Sequence, residues 1–253
     1  MKYAIITGVS GGLGFDTARF LLESGIHLFG ISRTDQESLY DIAEENHVEY
    51  THYSCDLSVP EDIDKTVNKL LYEINHLDEN DHLYLINNAA AIHPIKQSSK
   101  LSQQELTDHY QVNVLSPIYL MNQLLAKSCE KQVSFVGVNV TSGAAVNPLF
   151  GWSAYCSAKA SMNMYTKTIA LEQDELNTGN KIIAFNPGIM DTKMQENIRN
   201  ADQKDFLQVD QFKQYKLQGV LSQTEAVAGV LIDIMTDEVN IINGEIYHID
   251  DYT

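Results

Sequence analysis

Apolar and polar positions fall in alternating blocks along this chain. Short apolar runs of strand length, such as Tyr3-Ala4-Ile5-Ile6-Thr7 and His27-Leu28-Phe29-Gly30-Ile31-Ser32, alternate with longer stretches of helical spacing. The first of these stretches carries Phe15, Ala18, Phe20, Leu21 and Leu22 and stops at Gly25. The pattern predicts strands near 3–7, 27–32, 49–54, 82–87, 133–141, 181–186 and 246–249, and helices near 12–24, 36–46, 60–75, 102–128, 153–175 and 223–235. Strand–helix alternation with right-handed crossovers gives an α/β fold, a Rossmann-like doubly wound parallel sheet of about seven strands with helices on both faces. Such sheets bind ligands beyond the carboxyl ends of their strands. Gly8, Arg33, Asp56, Asn87, Ser142 and Pro187 all fall there.

Two stretches break the regularity. Asn113 lies inside the long helical pattern at 102–128, where Asn is a mediocre helix former, and Pro117 lacks an N–H and clashes with the carbonyl four residues back. This predicts either an ordinary exposed or capped helix asparagine, or a local distortion whose freed carbonyl holds a water near Lys159. Residues 190–218 are the least regular part of the chain, polar and charged with Met190, Met194, Ile198, Phe206, Val209, Phe212, Tyr215 and Leu217 interspersed. That segment is either a lid over substrate or a surface excursion packed on its own side chains. Val146, Leu149, Phe150 and Trp152 are candidate apolar contacts nearby, although a Trp in such a place is more often core.

The glycine cluster after the first strand changes the picture from fold to chemistry. Thr7-Gly8-Val9-Ser10-Gly11-Gly12-Leu13-Gly14 joins a strand to a helix, the arrangement that offers backbone N–H groups to a pyrophosphate. Its Gly-x-x-x-Gly-x-Gly spacing differs from the common Gly-x-Gly-x-x-Gly, and an ordinary strand–helix turn also uses glycine. NAD-specific sites place an acid about 20 residues further on. Here Arg33 stands 19 positions past Gly14, with Thr34 beside it. A guanidinium pairs with a 2′-phosphate, so the expected cofactor is NADP(H), with Ser10 and Thr34 as helpers.

Tyr155 and Lys159 sit four residues apart, on one face of a helix, and Ser142 lies thirteen residues before the Tyr. A Lys cation beside a Tyr is expected to lower its pKa and make it a usable acid or base. Ser142 is placed to hydrogen-bond a substrate oxygen. The set suits proton delivery to a carbonyl oxygen while a cofactor supplies hydride. A Tyr-x-x-x-Lys pair alone is also what a surface contact produces, since the chain has 13 Tyr.

With these motifs in order, the chain resembles the short-chain dehydrogenase/reductase family along nearly its whole length. The resemblance rests on the glycine turn, Cys55-Asp56-Leu57, Asn87-Asn88-Ala89-Ala90, Asn113, Ser142, Tyr155 with Lys159, and Asn186-Pro187-Gly188-Ile189 followed by Thr192. It implies a catalytic set of Asn113, Ser142, Tyr155 and Lys159. It implies cofactor contacts from Gly8, Ser10, Gly12, Leu13, Gly14, Arg33, Thr34, Asp56, Leu57, Asn88, Ala89, Tyr155, Lys159, Pro187, Gly188, Ile189 and Thr192. Thr141 to Ala145, Gly151 to Ser157 and Pro187 to Thr192 are similar to the sepiapterin-reductase-like branch. Within it the likeness is to bacterial members that reduce one carbonyl of an aromatic 1,2-diketone, benzil to (S)-benzoin. A homo-oligomer, dimer or tetramer, is implied in the same way. Departures are Ala90 in place of the usual Gly, Gly11 where NADP-preferring members carry Lys or Arg, and no Gly-Gly after the last strand.

Composition bounds the rest. The 253 residues suit one domain, 1–253, with the lid at 190–218. A net charge of −17 disfavours nucleic acid and anionic membranes, so an anionic cofactor must be held by local groups. Cys55, Cys129 and Cys156 are odd in number and scattered, which fits a reducing cytoplasm. Cys156 adjoins Tyr155, and is read as an incidental thiol over a catalytic one. No Cys/His cluster has metal-ligand spacing. No secretory signal or membrane-length apolar run is expected. The alternatives to a diketone reductase are a reductase of another ketone or pterin-like dicarbonyl, or an NADP(H)-sensing protein without chemistry. A serine hydrolase fits poorly, because Ser142 lacks a Gly-x-Ser-x-Gly elbow.

Overall fold

The computed structural model describes residues 1–252. Seven parallel strands form one sheet: β1 (Lys2–Thr7), β2 (His27–Ser32), β3 (Tyr50–Ser54), β4 (His82–Asn87), β5 (Ser134–Val140), β6 (Lys181–Asn186) and β7 (Ile246–His248). Their order is β3-β2-β1-β4-β5-β6-β7. All six pairings are parallel, with Tyr3 opposite His27 on one side and Leu83 on the other. The chain runs outward from β1 to β3, then returns across β1 to β4 and outward again, so the order reverses between β1 and β4. Backbone groups diverge there and leave a crevice at the carboxyl edge.

The central strands are buried on both faces because helices cover both, which is why they read as unbroken apolar runs. One layer holds α1 (Gly12–Glu23) and α9 (Thr224–Thr236), packed against Ala4, Ile6, Tyr84, Val136 and Phe185. The opposite layer holds α3 (Pro60–Glu73), α5 (Ser116–Lys131) and α6 (Ser153–Glu175), packed against Tyr3, Ile5, Leu85 and Phe135. The short helix α2 (Ser38–Glu45) buries Leu39 and Ala43 beside α1.

Strand positions agree with the apolar pattern to within a residue or two. Two helical expectations change. The helix foreseen over 102–128 is two helices, α4 (Gln103–Tyr110) and α5, joined by a π-helical turn at Gln111–Leu115 that contains Asn113. Pro117 occupies the first turn of α5, where its missing N–H costs nothing. The stretch 190–218, expected to be irregular, contains α7 (Lys193–Arg199) and α8 (Val209–Leu217). Its interspersed apolar residues are what buries these helices. Ile198, Phe206, Val209 and Phe212 pack with Trp152 and Tyr155 in a satellite core outside the sheet layers.

Candidate active site

The glycine edge is made by backbone geometry. Gly8 (φ +83) and Gly12 (φ +58) occupy left-handed conformations that other residues rarely adopt. A Cβ at Gly14 would collide with the carbonyl oxygen of Gly8, and one at Gly8 would meet the Asn88 amide nitrogen at 2.8 Å. The β4 loop closes against this turn through Thr7, which the sequence reading passed over. Thr7 Oγ1 accepts from the backbone N–H groups of Asn88 (3.1 Å) and Ala89 (3.0 Å), and Asn88 Nδ2 donates to the Thr7 carbonyl. Leu13 anchors the start of α1 in the core. The N-terminus of α1 has no side-chain cap, so its first N–H groups face the crevice uncapped. Closely approached backbone and uncapped N–H groups are the donor set that a pyrophosphate would need.

The second part of the edge lies at the ends of β2 and β3. Gln36 Nε2 donates to the Ser10 carbonyl at 2.6 Å, which ties the glycine turn to the segment carrying Arg33 and Thr34. Both of those residues are exposed. Asp35, the nearest acid in sequence, is turned to other partners. Its carboxylate accepts from the Gln36 amide (2.7 Å) and the Tyr40 hydroxyl (2.9 Å), and His52 Nδ1 lies at 3.7 Å. Asp56 accepts from the hydroxyl and amide of Ser58, which hold its carboxyl below the ordinary range, with Arg33 adding a smaller pull. Leu57 is half-buried and its carbonyl accepts from Ser116.

On the β6 side, Gly188 (φ +68) follows buried Pro187, and a Cβ there would press on Ile249 at 2.9 Å. Ile189 is exposed toward the crevice end, and its carbonyl accepts from Ser222. Thr192 caps α7 and brings its methyl to within 3.4 Å of where a Gly12 Cβ would stand. The two ends of the predicted cofactor set therefore meet across the crevice.

Ser142, Tyr155 and Lys159 are gathered between β5 and α6, and the π turn carries Asn113 against them. Tyr155 and Lys159 are almost fully buried. Ser142 lies within hydrogen-bonding reach of the phenol. Lys159 Nζ donates to the Val140 carbonyl at 2.8 Å and sits 5.8 Å from the Tyr155 ring centre. Burial pushes the phenol up to about 12 and pulls the ammonium down to about 8; the Ser142 hydroxyl works to lower the phenol. The expected lowering of Tyr155 by Lys159 is therefore corrected. Loss of hydration is the largest influence on the phenol, and the Lys159 ammonium is engaged by the Val140 carbonyl.

Asn113 is buried, and its side chain is saturated. Its Oδ1 accepts from the Ala91 amide (3.0 Å), while Nδ2 faces the carbonyls of Ala91 (2.9 Å) and His109 (3.0 Å). It staples the β4 loop to the π turn and does not project toward a substrate. Trp152 belongs to the core: it stacks on Phe206 at 4.7 Å and meets Tyr155 edge-on at 5.4 Å. Cys156 points its thiol at the Asn147 carbonyl, 3.7 Å away. Val146 and Phe150 are exposed.

The family model described as short chain dehydrogenase matches residues 2–203. The chain belongs to the short-chain dehydrogenase/reductase family. This oxidoreductase is 38% identical over 256 residues to "Benzil reductase ((S)-benzoin forming)" of Bacillus subtilis (strain 168), covering all of both chains. It is 34% identical to the protein of the same name from Bacillus cereus, over 99% of this chain and 100% of that one. Among solved structures, NAD+-bound xylitol dehydrogenase superposes with a TM-score of 0.79 at 20% identity, covering 98% of this chain and 97% of that one. NADP-bound ElxO gives 0.77 at 22%, covering 98% and 96%. Both share the fold of this chain. Nicotinamide cofactors are what the family uses, and this oxidoreductase has the cradle for one. Among the described residues no helix is long and apolar enough to cross a membrane.

Proposed function

We propose that this oxidoreductase is an NADPH-dependent carbonyl reductase acting on one carbonyl of an aromatic 1,2-diketone, of the benzil to (S)-benzoin type. The observation that carries the reading is Tyr155, buried against aromatic side chains with Ser142 at its hydroxyl and Lys159 one helical turn behind. Full-length likeness to two benzil reductases supports the substrate class.

A phenol with a raised pKa is protonated at neutral pH, so Tyr155 has a proton to give. An alkoxide forming on the substrate is a stronger base than the phenolate left behind, and the proton moves downhill. Ser142 holds the carbonyl oxygen by donating its single O–H to it. Lys159, still charged at neutral pH, adds positive potential and holds ribose hydroxyls of the cofactor. Asn113 keeps the π turn in place, so that a freed backbone carbonyl there would hold a water near Lys159, and that water would return a proton to Tyr155 through Lys159. The nicotinamide, when bound, supplies the hydride.

Gly8, Gly12, Leu13 and Gly14, with Asn88 and Ala89 packed against Gly8, would hold the pyrophosphate, Asp56 and Leu57 the adenine end, and Pro187, Gly188, Ile189 and Thr192 the nicotinamide end. Arg33, with Ser10 and Thr34, would take the 2′-phosphate. The engagement of Asp35 by Tyr40 and Gln36 supports this, because it draws the nearby acid away from Arg33. The segment 190–218 serves as the substrate lid of a single domain, its aromatic side chains excluding water from Tyr155. The same reading makes the protein a cytoplasmic homo-oligomer.

The test is a carbonyl panel with NADPH and NADH, followed by chiral analysis of the products. Consumption of NADPH with benzil and enrichment of (S)-benzoin are expected. No dicarbonyl-dependent loss of NADPH absorbance would favour a sensor instead.

A further inference from the structure

His109 stands outside every site predicted from the sequence, yet it is one of the most buried polar residues in the molecule. Its Nδ1 lies 2.8 Å from the His93 carbonyl and its Nε2 lies 3.1 Å from Asn113 Nδ2. A carbonyl only accepts, so Nδ1 carries the proton. The Asn113 amide has its orientation settled independently by Ala91, whose N–H donates to Oδ1 and whose carbonyl accepts from Nδ2. The nitrogen facing Nε2 is therefore a donor, with one N–H on the Ala91 carbonyl and the other shared between the His109 carbonyl and Nε2, which accepts. One neutral tautomer satisfies both contacts. The ring also meets Tyr155 edge-on, with centres 6.2 Å apart.

We propose that His109, as the neutral Nδ1–H tautomer, is a positioning residue for the reaction: its ring ties the His93 carbonyl to the already fixed Asn113 amide of the π turn and holds the edge of Tyr155. The inference rests on the reductase reading given above. Protonation would place a second N–H against the Asn113 amide. The Ala154 carbonyl is close enough to favour the charged ring. A charged His109 would thus give its Nε2–H to the Ala154 carbonyl, beside Tyr155, and lose the ring's contact to Asn113, whose N–H groups would keep only the Ala91 and His109 carbonyls. The charged and titratable groups facing the ring are Lys159 and Tyr155 on α6, Tyr110 on its own helix, and the His93 segment. Burial is the main influence keeping the ring neutral, and the Lys159 cation acts in the same direction. The carbonyls of His93 and Ala154 oppose it.

The experiment compares parent, His109→Leu and His109→Gln in benzil reduction with NADPH across pH. It adds ¹⁵N NMR of histidine-labelled parent protein to read the tautomer. Gln accepts from Asn113 and donates to a carbonyl but does not titrate. The Leu variant should lose about a hundred-fold in kcat, the effect of misplacing catalytic groups by about 1 Å, with little change in KM for NADPH. The Gln variant should recover most of that loss and lack the acid limb of the parent's kcat profile. Parental kcat in the Leu variant, or a Gln variant as slow as Leu with the acid limb unmoved, would overturn the proposal. The ¹⁵N spectrum decides the coupling without turnover: an Nε2–H tautomer, or a ring that titrates as a free histidine does, rejects it. If the parent reduces no dicarbonyl while the Nδ1–H tautomer is found, the reductase reading fails and the His109–Asn113 coupling stands.

Discussion

The glycine edge and the tyrosine pocket border the same crevice and are built by opposite means. At Gly8 and Gly14 the chain removes side chains so that backbone can approach backbone. At Tyr155 and Lys159 it crowds side chains together and strips water from two ionisable groups. The first region is governed by sterics, which tolerate no added atom and ignore pH. The second is governed by solvation, which costs stability and responds to pH. A fold that binds a cofactor and moves a proton needs both kinds of construction side by side.

The contrast breaks most sharply at the phenol. Tyr155→Phe keeps the ring and its packing on Trp152 while deleting the proton. Turnover should fall by about 10²–10⁴-fold, with NADPH affinity nearly unchanged in a fluorescence titration. Substantial residual activity would show that another group delivers the proton. Gly14→Ala attacks the other region. The added methyl must displace the Gly8 carbonyl, so we expect about 1–3 kcal/mol of destabilisation and loss of NADPH binding, read by thermal melting with and without cofactor. A variant that melts and binds like the parent would mean that the turn yields easily. Arg33→Ala should weaken NADPH by about 10- to 100-fold, the worth of a charge-assisted hydrogen bond, and leave NADH little affected. Equal losses for both cofactors would place Arg33 away from the 2′-phosphate.

The smallest effect is the one on stability at Lys159. Its pKa is about 8 in the fold and near 10.5 in the unfolded chain. Between those values the unfolded chain binds more protons, so stability rises with pH across the window, and below it the fold carries the cost of a buried charge. Tyr155 runs the other way, favouring the fold less as pH climbs from about 10 to about 12. Lys159→Met should abolish turnover yet raise the melting temperature at pH 7, by about 2–4 °C for each kcal/mol of relief. It should also flatten the rise between pH 8 and 10.5. A lower melting temperature would mean that the Val140 carbonyl needs its donor more than the core resents the charge.

Much of this architecture was legible in the residue pattern. The parallel sheet announced itself because strands buried on both faces must be apolar throughout. Gly8, Arg33, Asp56, Asn87, Ser142 and Pro187 fell at the carboxyl ends of strands because chain order alone puts them there. The distortion at Asn113 was readable too, since Pro117 cannot donate to the carbonyl four residues back and stands in the first turn of a new helix instead. Three features escaped. The 190–218 segment looked irregular because its apolar residues answer to Trp152 and Tyr155, far away in sequence, and not to a sheet face. His109 and Thr7 gave no signal, because a histidine or threonine next to a motif residue is unremarkable until the fold brings its partner near. The signal available was position alone: Thr7 precedes Gly8, and His109 stands four residues before Asn113.

Local chemistry was enough to write the order of strands and helices, the glycine turn, and the pairing of a phenol with an amine on one helical face. These follow from steric limits and periodicity, which act between near neighbours. The protonation behaviour of that pair belongs to the folded molecule. A sequence places Lys159 one turn from Tyr155 and suggests that the cation wins. Burial by Trp152, His109 and the helices of 190–218 makes desolvation win instead, and desolvation depends on every group that displaces water, however distant along the chain.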